Sequence, residues 1–255
     1  MLRHALLALA TTLCLAACNP AGGVPILLWH SVGEGNAADK YDVPAEEFDR
    51  ELAILERFGA KTVTLDQVLD AAAGGAPLPE RAVVVTFDDG RACLKSAALP
   101  VLRKHGMTAE VFVVTSWMAD DESHRKVIDD ETGRHAYLTW PELREMTASG
   151  AFHVQSHSVS HRKVRELGAE ELWSELVDSR AAITAHVGVP VNFFAYPFGA
   201  SSLQAASDVQ RAGYRGAVVV EMGMGARYSL KRRSVWKGCE YAVTEALEAA
   251  FGAPK

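Results

Sequence analysis

The sequence has no excess of basic residues and no apolar run long enough to cross a bilayer. Its 26 Lys and Arg are outnumbered by 32 Asp and Glu, giving a net charge of −6. This balance argues against nucleic acid or an anionic membrane surface as a partner. The apolar run near the start, Ala5 to Leu15, is too short for a transmembrane helix. Internal repeats are also absent, and 255 residues suit one globular domain.

The short apolar run has the features of a secretory signal. Arg3 precedes it, and small residues follow it up to Cys18, a pattern that resembles the bacterial lipobox. We interpret residues 1–17 as a lipoprotein signal peptide, Cys18 as the lipidated residue and residues 18–24 as a tether. Asn19, not Asp, follows the cysteine, so the resemblance implies an outer-membrane lipoprotein facing the periplasm or the cell surface. An ordinary signal peptide with a coincidental cysteine is the alternative.

Cysteine is scarce, with four in the whole chain. Processing would remove Cys14, and lipid would occupy Cys18, which leaves Cys93 and Cys239. An oxidising periplasm permits a disulfide between these two. Two free buried thiols are equally compatible with the sequence.

Short apolar segments alternate with amphipathic ones from residue 25 to residue 255. This alternation predicts parallel strands joined by helices, and the six or seven units predict a single-domain α/β fold, a (β/α)7 barrel. A doubly wound open sheet is the competing architecture, but no glycine-rich dinucleotide fingerprint follows the first strand. The predicted strands are Ile26–Trp29, Ala82–Thr86, Ala109–Val114, Phe152–Gln155, Asn192–Tyr196 and Gly216–Val220. The predicted helices are Ala45–Phe58, Ala92–Lys104, Glu142–Ala148, Ala169–Val187, Leu203–Ala212 and Val243–Phe251.

A polar, charged stretch from Ala119 to His135 interrupts this alternation. We interpret it as a long surface loop after the strand that ends at Val114. Loops at the carboxyl end of a barrel strand surround the active site, so this loop is a candidate for contact with substrate. A solvent-facing insertion without function is the alternative.

Two adjacent carboxylates, Asp88 and Asp89, end an apolar strand just before Gly90. A buried carboxylate without a partner is costly, so two of them at a strand end suit a bound cation. One could bind the metal while the other acts as a base. A plain turn with a helix cap would also use these residue types.

A histidine pair, His157 and His161, follows the strand Phe152–Gln155. Histidines at i and i+4 lie on one face of a helical turn and suit one metal ion. Because the carboxyl ends of barrel strands converge on one face, this pair and one aspartate would form a two-histidine, one-carboxylate site. Such a site also hosts redox iron, but the second aspartate favours hydrolysis because it supplies a base.

Two further motifs end predicted strands. In the segment Phe194 to Gly199, Pro197 stiffens a turn in which the Phe198 N–H could face an oxyanion. At the end of the first strand, His30 is a titratable residue that could act as a general acid. Alternatively, the first segment is an aromatic-rich turn without a catalytic role, and His30 is a structural histidine.

Taken together, these motifs resemble those of the NodB-type polysaccharide deacetylases, carbohydrate esterase family four. The resemblance runs from about Pro25 to about Trp236, and the family fold is a distorted (β/α) barrel. The segments that carry it are Thr86-Phe87-Asp88-Asp89-Gly90, Ser156-His157-Ser158-Val159-Ser160-His161 and Tyr196-Pro197-Phe198-Gly199.

The resemblance implies a role for each site residue. Asp88 would be the catalytic base, and Asp89, His157 and His161 would bind one divalent metal, typically zinc, with cobalt or nickel as substitutes. Phe198 would hold the oxyanion. Tyr196 and Pro197 would lie beside it and help to form the part of the site that binds the oxyanion and the substrate.

Two departures from the family pattern concern the base and the acid. Many members carry an arginine that orients the base at the position of Ala195, and we predict that Arg233 takes over this role. Many also carry a C-terminal histidine that supplies the acid, but no histidine follows His186. The subgroup resembling poly-N-acetylglucosamine deacetylases has instead an aromatic-His pair on the first strand, which Trp29-His30 matches.

The sequence therefore predicts a metal-dependent N-deacetylase whose partner is an N-acetylated polysaccharide of the poly-β-1,6-N-acetylglucosamine type, with His30 as the acid. Deacetylation of peptidoglycan, chitin oligomers or O-acetyl xylan is a second hypothesis. A lipid-anchored glycan-binding protein without activity is a third.

Overall fold

The computed structural model describes residues 22–130, 132–220 and 226–254. The predicted signal peptide and Cys18 lie outside these ranges. Within them, no helix combines the length and apolar character needed to cross a membrane.

Seven parallel strands close into a barrel, which confirms the predicted fold class. Each strand pairs with its neighbours in chain order, and the last pairs with the first. The strands are β1 (Ile26–Trp29), β2 (Ala82–Phe87), β3 (Ala109–Val113), β4 (Phe152–Ser156), β5 (Phe193–Ala195), β6 (Gly216–Val220) and β7 (Leu230–Ser234). All their carboxyl ends therefore open on one face of the barrel.

Helices cover the outside of the barrel because alternate strand residues point outward. On β2, Val83 and Val85 pack in the large outer core, whereas Val84 belongs to the inner cluster. The helices are α1 (Ala45–Arg57), α2 (Leu65–Ala72), α3 (Leu99–Lys104), α4 (Trp140–Ala148), α5 (Ala169–Val187), α6 (Leu203–Arg211) and α7 (Glu240–Phe251).

Short elements complete the structure at the two ends of the barrel. Strand Lys61–Thr62 pairs in parallel with the amino-terminal end of β2, and Ser31–Val32 pairs with Asp42–Val43. The stretch predicted as a loop, 119–135, contains an antiparallel hairpin of Val127–Asp130 with Gly133–Ala136. The prediction of an irregular loop was wrong here, because main-chain pairing between two polar segments leaves no apolar alternation in the sequence.

Cys93 and Cys239 are both buried and both free thiols. The structure therefore adopts the second of the two alternatives left open by the sequence. Burial raises the pKa of Cys93 to about 12, so this thiol is unreactive at neutral pH.

Glu51 on α1 makes the stability of the fold sensitive to pH. Burial raises its pKa to about 8, although the Trp29 indole N–H donates a 2.8 Å hydrogen bond to it. The folded state thus holds a proton that the unfolded state releases above a pKa near 4.5. The unfolding free energy should fall as pH rises from about 4.5 through 8, by up to about 5 kcal/mol.

Glu51→Gln is expected to remove its part of this decline, measured by urea denaturation at pH 6 and pH 9, while the part due to Glu110 remains. Glu46→Gln, an exposed position on the same helix, is the control and should retain the full decline. An equally steep decline in the Glu51 variant would contradict the assignment. The buried Glu110, whose pKa burial also raises to about 8, would then be the next group to replace.

Candidate active site

The carboxyl ends of the seven barrel strands surround a cavity of about 610 Å³. The predicted residues reach it from different strands: His30 follows β1, Asp88 and Asp89 follow β2, and the histidine pair follows β4. Segments more than a hundred residues apart thus meet at one face. The cavity is lined by His30, Tyr41, Asp88, Asp89, Arg91, Trp117, Ile128, Thr132, Tyr137, His157, His161, Phe198, Gly199, Val220 and Ser234.

Asp89, His157 and His161 converge on one point. Asp89 Oδ1 lies 3.7 Å from His157 Nε2 and 3.6 Å from His161 Nε2. These separations are too long for hydrogen bonds. They are close to the edge of a zinc tetrahedron, about 3.4 Å for metal–ligand distances near 2.1 Å.

The histidine pair lies on an irregular loop and not on a helical turn, so that part of the prediction was wrong. Ser158 and His161 have left-handed φ angles of 73° and 58°, which reverse the chain between the two rings. The Glu175 carboxylate on α5 holds the loop, accepting hydrogen bonds from the backbone N–H groups of Val159 and Ser160 at 2.8 and 2.9 Å.

The chemistry of these donors fits a divalent metal. His157 Nδ1 lies 2.9 Å from the Ala195 carbonyl and donates to it, so Nε2 carries the lone pair that faces Asp89. Burial, followed by the neighbouring His157, lowers the pKa of His161 to about 4. His161 is therefore a neutral nitrogen ligand, and two imidazoles beside a carboxylate are the set that zinc-like metals prefer.

Asp88 lies beside this triad and is held by Arg232. The two guanidinium nitrogens Nη1 and Nη2 donate to Asp88 Oδ1 and Oδ2 at 2.7 and 2.6 Å. Burial alone would raise the pKa of Asp88, but the Arg232 guanidinium holds it well below its usual value. The carboxylate is therefore ionised at any working pH and fixed in orientation.

The prediction that Arg233 orients the base is wrong by one position, because Arg232 makes the contact with Asp88. Arg233 points outward and pairs with Glu245 at 2.7 Å, whereas Arg232 points into the barrel. Successive residues of a strand face opposite sides, so only one of the two can reach Asp88. Residues of strand Leu230–Ser234 are alternately buried and more exposed. This alternation would have identified Arg232 as the inward residue, but the strand was not among those predicted.

His30 lines the cavity with its ring 4.5 Å from that of Tyr41. Burial lowers the pKa of His30, and its buried Nδ1 has no hydrogen-bond partner within the described part of the chain. A buried nitrogen without a partner is costly, so it is a position where a ligand proton can be received or delivered.

The turn after β5 contributes one of its three predicted residues. Phe198 is 61% exposed and adopts a left-handed φ of 58°, and its ring lies 4.6 Å from the His161 ring. Tyr196 and Pro197 do not line the cavity, which corrects their assignment as wall residues. The Tyr196 hydroxyl instead donates to the Tyr228 carbonyl at 3.1 Å, inside the outer core.

Three aromatic residues that sequence reasoning missed complete the wall: Tyr41, Trp117 and Tyr137. The Trp117 ring lies 4.7 Å from that of Tyr137 and 5.0 Å from that of His161. No local motif marks these residues, because they come from the loops around the site. Ile128 and Thr132 of the hairpin add a further side.

The chain is similar to known proteins of one family. A profile of the family described as polysaccharide deacetylase matches residues 75–217. The chain is 27% identical over 219 residues to YxkH of Bacillus subtilis, whose name assigns it to the polysaccharide deacetylases, covering 84% of this chain and 72% of that protein.

A relative with a named substrate is the poly-beta-1,6-N-acetyl-D-glucosamine N-deacetylase of Escherichia coli, 27% identical over 236 residues. The match covers 80% of this chain and 35% of that protein, so this chain spans about a third of its relative. Among solved structures, IcaB from Ammonifex degensii shares the fold with a TM-score of 0.73 at 23% identity, covering 91% of this chain and 97% of that one.

Proposed function

Because this chain belongs to the polysaccharide deacetylase family, we propose that it is a metal-dependent hydrolase that deacetylates N-acetylglucosamine residues of an envelope or biofilm polymer of the poly-β-1,6 type. The observation that carries this proposal is the arrangement of Asp88 beside the Asp89–His157–His161 triad. One ionised carboxylate is held by an arginine, and the other faces two imidazoles.

Asp89, His157 and His161 would hold the metal, with zinc as the expected ion and cobalt or nickel as substitutes. When bound, a divalent cation supplies Lewis acidity to the hydrolysis of the acetamide. The Phe198 N–H, on the turn after β5, would hold the oxyanion. The Phe198 ring covers the rim of the cavity beside His161.

Asp88 would take the proton of the attacking water. As the water oxygen bonds to the acetyl carbon, the carbon–nitrogen bond breaks and the sugar nitrogen would accept a proton from the protonated form of His30, which its lowered pKa makes a ready donor. The products are acetate and a glucosamine residue. Arg232 does not contact the reacting atoms in this scheme; it keeps Asp88 ionised and oriented.

The shape of the cavity supports a sugar ring as the ligand. A volume of about 610 Å³ lies within the range of sites that enclose small ligands. Tyr41, Trp117 and Tyr137 on its walls offer flat apolar faces next to polar groups. The Trp29-His30 pair and the named substrate of the Escherichia coli relative favour the β-1,6-linked polymer.

We also propose that Cys18 anchors the protein by lipid to the outer membrane, facing the periplasm or the cell surface. Residues 18–24 would then lead from the anchor to the amino-terminal end of β1. That end is opposite the carboxyl-terminal face on which the cavity opens. The catalytic face would therefore point away from the membrane.

Acetate release measured on matched substrates tests the proposed activity. The panel contains β-1,6-linked N-acetylglucosamine oligomers, β-1,4-linked chitin oligomers of equal length, peptidoglycan and acetyl xylan. We expect the highest kcat/KM on the β-1,6 oligomers, loss of activity with a chelator, and recovery on adding Zn²⁺. A β-1,4 preference would overturn the linkage, and release that survives complete metal removal would overturn the mechanism. Tight glycan binding without turnover at any metal would support the non-catalytic hypothesis.

A further inference from the structure

A buried arginine next to the proposed metal site has no part in the reaction described above. Arg91 follows the Asp-Asp-Gly motif and is 3% exposed. Its Nη1 donates to Asp39 Oδ2 at 2.7 Å and to Glu34 Oε2 at 3.2 Å. On the other side, its Nε lies 3.9 Å from Asp89 Oδ2. The guanidinium thus stands between a proposed metal ligand and two acids.

The two carboxylate oxygens of Asp89 face different groups. Oδ1 faces the imidazoles of His157 and His161, and Oδ2 faces Arg91. The Arg91 Nε is buried and has no hydrogen-bond partner in the described part of the chain. A shift of about 1 Å would bring it into hydrogen-bond range of Oδ2. The arginine therefore favours the rotamer of Asp89 that presents Oδ1 to the metal.

We propose that Arg91 is a positioning residue for Asp89 and so raises the affinity of the site for its divalent cation. This inference rests on the proposed function, because it assumes that Asp89, His157 and His161 hold that cation. Partners that orient a metal ligand typically change metal affinity by about 10–100-fold.

An arginine beside a cation site would ordinarily repel the cation. Here Asp39 and Glu34 contact the same guanidinium nitrogen, so two negative charges face one positive charge. The acids offset the repulsion while leaving the geometry of Asp89 fixed. Asp39 is 1% exposed, so water does not screen its interaction with Arg91, and Glu34 is partly buried, with a side chain that is 14% exposed.

The same cluster joins the metal ligand to the hairpin on the cavity wall. His135 Nδ1 lies 2.9 Å from both Arg91 Nη1 and Glu34 Oε2. His135 Nε2 lies 2.8 Å from Thr132 Oγ1, and Thr132 lines the cavity. Arg91, which faces Asp89, therefore belongs to a hydrogen-bonded network that reaches the cavity wall.

Metal titration of chelator-treated protein tests the proposal without any substrate. The probes are Zn²⁺ alone, by calorimetry, and Co²⁺ alone, by visible absorption of the bound ion. We expect Arg91→Gln to weaken Zn²⁺ binding by about 10–100-fold and to change the Co²⁺ spectrum. The matched control is Arg125→Gln, which breaks a different arginine–carboxylate interaction, a bidentate pair with Glu142 at 2.8 and 2.9 Å, outside the cavity. It should bind metal as the unmodified protein does.

Three further variants separate positioning from simple charge balance. In Arg91→Gln combined with Asp39→Asn, one charge of each sign is removed, and we expect affinity to stay low. Full recovery would overturn the proposal, as would unmodified affinity in a folded Arg91→Gln protein. Arg91→Lys keeps the charge and the fold but loses Nε, and unmodified affinity there would also overturn it. Asp89→Asn is the reference: if it binds metal normally, the metal site of the proposed function fails instead.

Discussion

Asp88→Asn is expected to reduce the kcat for acetate release by about 10²–10⁴-fold while leaving metal affinity within a few-fold of the unmodified protein. The amide has the shape of the carboxylate but cannot accept the proton of the attacking water. Asp88 also lies outside the triad, whose ligand atoms come from Asp89, His157 and His161. Acetate release from β-1,6-linked oligomers and Zn²⁺ calorimetry measure the two effects separately.

Asp89→Asn provides the contrast, because it should lose metal affinity and activity together. His30→Ala should lower kcat by about 10²–10⁴-fold with metal affinity retained, as expected for an acid that does not bind the ion. Unmodified turnover by the Asp88 variant would exclude this carboxylate as the base. Loss of metal by the same variant would instead make Asp88 a ligand.

Arg232→Gln is expected to lower kcat by about 10²-fold, which is the typical cost of displacing a reacting group. It should also reduce the unfolding free energy by about 3–5 kcal/mol, since it leaves a buried charge without its partner. Arg232 is 1% exposed and makes both short contacts to Asp88. Kinetics and urea denaturation at neutral pH give the two numbers.

Arg233→Gln is a matched control, since it is the same change one residue along the same strand. Arg233 pairs with Glu245 on the surface, so its loss should cost less than about 1 kcal/mol and leave kcat unchanged. The pH dependence of kcat/KM is a further measurement, and a loss of stability alone would not change it. Without Arg232, burial should raise the pKa of Asp88, and the acid limb of kcat/KM should shift to higher pH. An unshifted limb, or equal effects from the two arginines, would contradict the positioning role.

Helices and strands could be predicted where a segment's own apolar residues repeat at helical or strand spacing. Helix Ala169–Val187 and strand Gly216–Val220 were predicted with their observed bounds, because their apolar residues repeat at helical or strand spacing. Strand Leu230–Ser234 was not predicted, since three of its five residues are basic. Its identity depends on pairing with β1 and β6, and pairing is not a local property.

By itself, the sequence determined the chemistry available to this protein: carboxylates and imidazoles at the ends of apolar strands, and the alternation that predicts a parallel barrel. The tertiary structure alone decided which of two neighbouring arginines reaches Asp88, how the histidine loop bends, and which aromatic residues wall the cavity. The physical reason is that residue type is a property of one position. The direction of a side chain, in contrast, is set by strand register, left-handed turns and contacts with distant segments.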